Sequence, residues 1–126
     1  MSVMEGANNF SIGTDIESID RFKGYIQNSS FLNRLFTKDE LEYCLSKKTA
    51  ASHIAARYAG KEAVVKALTC IGRINVNYKH IEILNDKNGV PKVSINKTGF
   101  DDLQIHISLS HCRDKAIAFT IVTELK

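Results

Sequence analysis

Apolar positions alternate at the start of the chain, recur at helical spacing through its middle, and alternate again toward its end. Phe10-Ser11-Ile12-Gly13-Thr14-Asp15-Ile16 opens on alternation and predicts a first strand. Over residues 17–26, Ile19, Phe22 and Ile26 keep helical spacing and predict a short helix. Over residues 30–45, Leu32, Leu35 and Phe36 precede Thr37-Lys38-Asp39-Glu40, a capping-box sequence in which Thr37 caps a new helix and Glu40 reaches back to it. The longest helix is predicted over about residues 50–69, with Gly60 its one interruption. Ala56, Ala59, Ala63 and Ala67 make a small-residue stripe that permits close packing, and Ile54, Val64, Val65 and Leu68 widen the apolar surface.

Beyond Gly72 the period returns to two. His80-Ile81-Glu82-Ile83-Leu84 and Val90-Pro91-Lys92-Val93-Ser94-Ile95 flank the turn sequence Asp86-Lys87-Asn88-Gly89 and predict a hairpin, with Pro91 at a strand start or edge. Residues 105–110 and 116–122 complete the set of strands. Helices early and antiparallel strands late make the class α+β, an antiparallel sheet packed against a long helix. The pattern holds no repeat or linker, so residues 10–126 read as a single domain behind a flexible leader of residues 1–9.

Composition narrows the classes. The 126 residues are 44% hydrophobic and 25% charged, as in ordinary globular domains. The net charge of +3 suits a phosphorylated ligand or an acidic partner as well as nucleic acid, and selects none of them. No apolar run approaches the ~20 residues of a membrane-spanning helix. The first nine residues lack the basic-then-apolar order of a signal peptide. Cys44, Cys70 and Cys112 are odd in number and show no CxxC spacing, so neither a disulfide framework nor a zinc site is expected. A cytoplasmic protein is the expectation.

Three places could carry chemistry: Gly13-Thr14-Asp15 where the first strand leads into a helix, Lys61 to Lys66 within the long helix, and Ser108-Leu109-Ser110-His111 at the end of a strand. Tyr58, Glu62 and Lys66 are spaced four apart and share a helix face. Taken alone, Glu62 and Lys66 read as a surface ion pair worth ~0.3–0.5 kcal/mol. Asp15 alone reads as a turn or capping residue, and His111 as a loop histidine.

The ordered set says more. Gly-Thr-Asp-Ile-Glu from Gly13, Phe-Thr-Lys-Asp-Glu from Phe36, Ala-Arg-Tyr-Ala-Gly-Lys-Glu-Ala-Val-Val-Lys-Ala from Ala56, Asn-Gly-Val-Pro from Asn88 and Ile-Ser-Leu-Ser-His from Ile107 follow in sequence. This series resembles the small 4'-phosphopantetheinyl transferases of the holo-acyl-carrier-protein synthase type, over roughly residues 10–122. Gly60 stands where similar enzymes usually have Ala, Cys112 where Thr, Asp or Ser is commoner, and Lys115 where Tyr is frequent.

The resemblance implies an Mg²⁺-dependent transfer of 4'-phosphopantetheine from coenzyme A to a serine of apo acyl carrier protein, in fatty acid biosynthesis. It assigns Asp15 and Glu62 to the metal, in keeping with the preference of Mg²⁺ for carboxylates plus substrate phosphates. Lys66 is implied to stabilise the transition-state charge. Arg57, Lys61 and His111 become candidates for coenzyme phosphate contacts, and Arg21 for docking the acidic carrier. The serine proton goes to Glu62 or to a water on the metal. A homotrimer with coenzyme A held between neighbours is also implied.

Rival readings predict different sequences. A binding module without catalysis would lack the two carboxylates, Asp15 and Glu62. A nucleic-acid-binding domain would interleave basic and aromatic residues, whereas this chain is 8% aromatic with no Trp. Neither nucleic acid nor a membrane is therefore an expected partner. A transferase serving secondary metabolism would usually carry two such halves in one chain.

Overall fold

The computed structural model describes residues 9–125. Most of the predicted leader, residues 1–8, lies outside the described residues, as does residue 126. In chain order the elements are β1 (Phe10–Ser18), α1 (Ile19–Lys23), α2 (Ser29–Leu35), α3 (Lys38–Leu45), α4 (Ala50–Cys70), a 3-10 turn (Tyr78–His80), β2 (Ile81–Asn85), β3 (Pro91–Ile95), β4 (Leu103–His111) and β5 (Lys115–Glu124). The fold is α+β, as expected. β1, β5 and β4 form one antiparallel sheet in that order, β2 and β3 form an antiparallel hairpin, and α4 packs across β1 and β5.

One boundary differs from the sequence reading, for a tertiary reason. The helix expected from residue 17 begins only at Ile19, because β1 stays paired with β5 out to Ser18 opposite Lys115. Glu17 is therefore a strand residue, opposite Ala116. The segment over residues 30–45 divides at Phe36 and Thr37 as expected, with α3 beginning after Thr37 and α2 ahead of it. The capping box forms as read: Thr37 Oγ1 accepts from Glu40 N at 3.2 Å, and Glu40 Oε1 accepts from Thr37 N at 2.9 Å. The predicted hairpin also forms, its turn held by Asp86 Oδ1, which accepts from Asn88 N at 2.8 Å and Val90 N at 3.0 Å.

The core has two lobes joined by α4. One gathers Phe22, Leu32, Phe36, Cys44 and Ile54 beneath α1, α2 and α3. The other gathers Val64, Leu68, Ile81, Ile83 and Val122 between α4 and the strands. Each large side chain buried here contributes ~1.5–3 kcal/mol of hydrophobic stabilisation. All four stripe alanines, Ala56, Ala59, Ala63 and Ala67, are buried. They meet a sheet face that is itself built of small residues, with Ala116, Ala118 and Thr120 of β5 buried and Gly13 of β1 beside them.

Gly13 sets how closely helix and sheet approach. A Cβ built on it would stand 1.9 Å from the backbone oxygen of Ala63, so β1 and α4 touch backbone to backbone and only glycine fits. The opposite face of the sheet is also apolar, which the alternation left unremarked. Phe10, Ile12 and Ile16 of β1 and Ile117, Phe119 and Ile121 of β5 are all exposed there.

Candidate active site

The Gly13 contact brings the next inward-facing residue of β1, Asp15, against α4. Lys66 donates to Thr14 O at 3.0 Å and to Asp15 Oδ1 at 3.2 Å. Asp15 Oδ2 is buried and has no hydrogen-bond partner. Glu62 lies one helical turn before Lys66. Burial raises its pKa, the Asp15 charge raises it further, and Lys66 and Arg21 oppose the shift. The structure thus brings together Asp15, Glu62 and Lys66, from a strand and a helix about fifty residues apart.

It adds a carboxylate that the sequence reading passed over. Glu17 follows Asp15 by two strand positions and so faces the same side. Its pKa is pushed up to about 7, first by burial, then by the neighbouring Asp15 carboxyl and its charge. Arg21 NH1 meets Glu17 Oε1 at 2.9 Å, with the Glu17 side chain 11% exposed and that of Arg21 46% exposed. The Arg21 guanidinium lies 5.2 Å from the Phe22 ring and 5.5 Å from the Tyr58 ring. The period-two spacing was the available signal, hidden by starting a helix at residue 17.

Asp15, Glu17 and Glu62 together present three carboxylates to the cations Arg21 and Lys66. The orphaned Asp15 oxygen next to Glu62 is what a hard divalent cation would satisfy, and an all-oxygen donor set suits Mg²⁺. Among the described residues, no three His, Cys, Asp or Glu side chains converge on one point. The fit is therefore to a metal held by two carboxylates and completed by oxygens from outside the chain.

A second cleft is lined by Tyr43, His53, Arg57, Asn85, Pro91 and His111. Arg57 is buried, donates from NH2 to Asn85 Oδ1 at 3.1 Å and stacks 4.7 Å from the Tyr43 ring. Its Nε is buried without a partner. His53 and His111 face each other with ring centroids 6.5 Å apart, and burial followed by the Arg57 charge lowers the His53 pKa. The cleft is thus positively charged and partly aromatic, fit for an aromatic phosphate ester. Arg57 and Glu62, five residues apart, project from α4 about 140° apart, so within one chain this cleft and the carboxylate site face different ways. His111 also borders the exposed apolar face, beside Ile16 and Ile117.

Lys61 requires a correction. The expectation of a phosphate contact is overturned because its side chain is 0% exposed. Its Nζ pairs with Glu40 Oε1 at 2.7 Å and donates to Tyr78 O at 2.8 Å and to Ile81 O. Burial drives its pKa down and Glu40 opposes that. The missed signal was position: Ile54, Arg57, Lys61, Val64 and Leu68 follow a three-four spacing, the core-facing stripe of the helix.

Residues 11–120 match the profile of the 4'-phosphopantetheinyl transferase superfamily. The holo-[acyl-carrier-protein] synthase of Protochlamydia amoebophila is 45% identical over 115 residues, covering 87% of this chain and 94% of that protein. The holo-(acyl-carrier-protein) synthase of Bacillus anthracis, solved in complex with CoA (3',5'-ADP), superposes with a TM-score of 0.77 at 29% identity, covering 95% of this chain and 100% of that one. The Helicobacter pylori holo-[acyl-carrier-protein] synthase in complex with coenzyme A superposes with a TM-score of 0.76 at 31% identity, covering 88% and 98%.

Proposed function

The chain belongs to the 4'-phosphopantetheinyl transferase superfamily, and from that premise we propose that it is a holo-acyl-carrier-protein synthase of fatty acid biosynthesis, with residues 10–126 as one transferase domain. Coenzyme A is the donor, and a serine of apo acyl carrier protein is the acceptor. The serine oxygen forms a bond to the β-phosphorus of coenzyme A while the bond from that phosphorus to the bridging oxygen breaks. Adenosine 3',5'-bisphosphate leaves with the electron pair, and the serine proton is lost to a base.

The observation that carries this reading is the buried, unpartnered Asp15 oxygen facing the same site as Glu62 and Lys66. Asp15 and Glu62 would hold Mg²⁺, which when bound would neutralise charge on the pyrophosphate as it is cleaved. Lys66 is anchored to Asp15 and Thr14 with half of its side chain exposed, so its remaining N–H bonds can meet phosphate oxygens and offset the charge that builds there. Arg57 and His111 would bind the nucleotide end of coenzyme A in the second cleft. Arg21, half exposed and set on aromatic rings, would receive the acidic carrier.

The two clefts face apart on α4, and His111 borders the open apolar sheet face. A homotrimer packed through that face would let the nucleotide cleft of one copy serve the carboxylate site of the next, so the site would be completed between subunits. Among the described residues no helix is long and apolar enough to cross a membrane. With these two substrates the enzyme would work in the cytoplasm.

Intact-mass spectrometry of apo acyl carrier protein tests the function directly. Incubation with the enzyme, coenzyme A and Mg²⁺ should add the mass of one phosphopantetheine, and a chelator should abolish the gain. No gain with folded protein and several carriers would leave a module that binds without catalysing.

A further inference from the structure

Glu17 has no part in the reaction as drawn, yet it touches both of its ends. It faces Asp15 across two strand positions, and it holds the Arg21 guanidinium at 2.9 Å. We propose that Glu17 is a positioning residue that couples the docking of the carrier protein to the binding of the metal, so that each tightens the other. The proposal rests on the metal and carrier reading above.

The coupling follows from charge shared among fixed groups. Three carboxyl groups, Asp15, Glu17 and Glu62, stand against two cations, Arg21 and Lys66. Lys66 is committed to Asp15, which leaves Arg21 as the direct partner of Glu17. The Glu17 side chain is only 11% exposed, so water does little to stabilise it once that partner is drawn away. Arg21 is 46% exposed and is set against the Phe22 and Tyr58 rings, so its guanidinium receives an incoming acid in place.

A carrier carboxylate that claims Arg21 therefore leaves Glu17 less compensated and makes the potential at Asp15 and Glu62 more negative. A divalent cation then binds there more tightly. In the other direction, a cation at Asp15 and Glu62 compensates Glu17 and frees Arg21 for the carrier. Thermodynamic linkage requires the two effects to be equal in size. Since no three such side chains converge among the described residues, Glu17 acts through its charge and not as a third ligand. An ordinary ion pair four residues apart would brace the start of α1 and leave the two binding events independent.

The test uses Mn²⁺ as an electron-paramagnetic-resonance probe, with saturating coenzyme A. The carrier has its acceptor serine replaced by alanine, so no turnover occurs. In the wild type, adding the carrier should lower the Mn²⁺ dissociation constant by about fivefold or more, the lower end of ordinary coupling energies. Glu17→Gln keeps an acceptor for Arg21 and removes the charge. It should still bind Mn²⁺ through Asp15 and Glu62, but with a constant that no longer responds to the carrier. Arg21→Ala should be uncoupled likewise, and circular dichroism checks that both variants fold. Undiminished tightening in Glu17→Gln, or none in the wild type, overturns the proposal. Absence of any bound Mn²⁺ in the wild type would instead remove the metal assignment beneath it, and the coupling with it.

Discussion

Glu40 and Lys61 are both fully buried, and their charges meet at 2.7 Å between α3 and α4. Glu40 also accepts from Thr37 N and, through its second oxygen, from Ile83 N at 2.8 Å. Lys61 spends its other N–H bonds on the backbone oxygens of Tyr78 and Ile81. One pair thus fastens a helix start, the long helix, the 3-10 turn and the first strand of the hairpin. Lys61→Met should cost ~3–5 kcal/mol, because it strands the Glu40 charge in the core. Glu40→Gln combined with Lys61→Met should lose less, since an amide oxygen still accepts from Ile83 N. Urea denaturation compares the two, and an equal or greater loss in the double variant would mean that the buried charge is not what destabilises.

Gly13→Ala should destabilise far more than Gly60→Ala. At Gly13 the new methyl meets the Ala63 backbone oxygen at 1.9 Å, and neither element can yield without separating strand from helix. We expect a loss of ~3 kcal/mol or more and, in any folded fraction, poor transfer because Asp15 moves away from α4. At Gly60 the methyl meets side-chain tips, with Ile83 Cδ1 nearest at 2.6 Å. Those tips can rotate, and alanine regains ~1 kcal/mol of helix propensity. Thermal melts of the two variants rank them, and a Gly13→Ala protein as stable as Gly60→Ala would refute the backbone contact.

Glu62→Gln should leave the melting temperature nearly unchanged and abolish Mg²⁺-dependent transfer. Losing several kcal/mol of metal-based stabilisation corresponds to ~10²–10³-fold in rate or more. Single-turnover assays at increasing Mg²⁺ measure it, and near-normal rates would remove Glu62 from the site.

Arg21→Glu should raise the KM for the carrier at least ~10-fold while changing the KM for coenzyme A little, because the carrier loses its cation and meets a like charge. Equal effects on both substrates would end its role in docking.

Phe119→Glu should break the proposed trimer. Phe119 is 44% exposed on the outer sheet face, among Ile12, Ile16 and Ile121, where a carboxylate stays hydrated in a monomer and must be desolvated in an assembly. Analytical ultracentrifugation should show the variant as monomer with reduced transfer. A wild type that sediments as a monomer would exclude the assembly itself.

The sequence by itself determined whatever depends on neighbours along the chain. The capping box at Thr37 and the turn at Asp86 rest on contacts within a few residues, and the strand at Phe10 and the alanine stripe of α4 show in the period of residues a few positions apart. The ordered motifs likewise singled out Asp15, Glu62 and Lys66, which the fold brings together. What the sequence left open depended on partners far along the chain. Lys61 and Glu62 are adjacent, yet one is sealed in the core and the other faces the site. That choice was made by Glu40, twenty-one positions before Lys61, and by the carbonyls of Tyr78 and Ile81. Glu17 became a strand residue beside Asp15 only because β5 returned to pair with it. Burial and long-range pairing are decided when distant segments pack, and local spacing carries no record of which distant group will arrive.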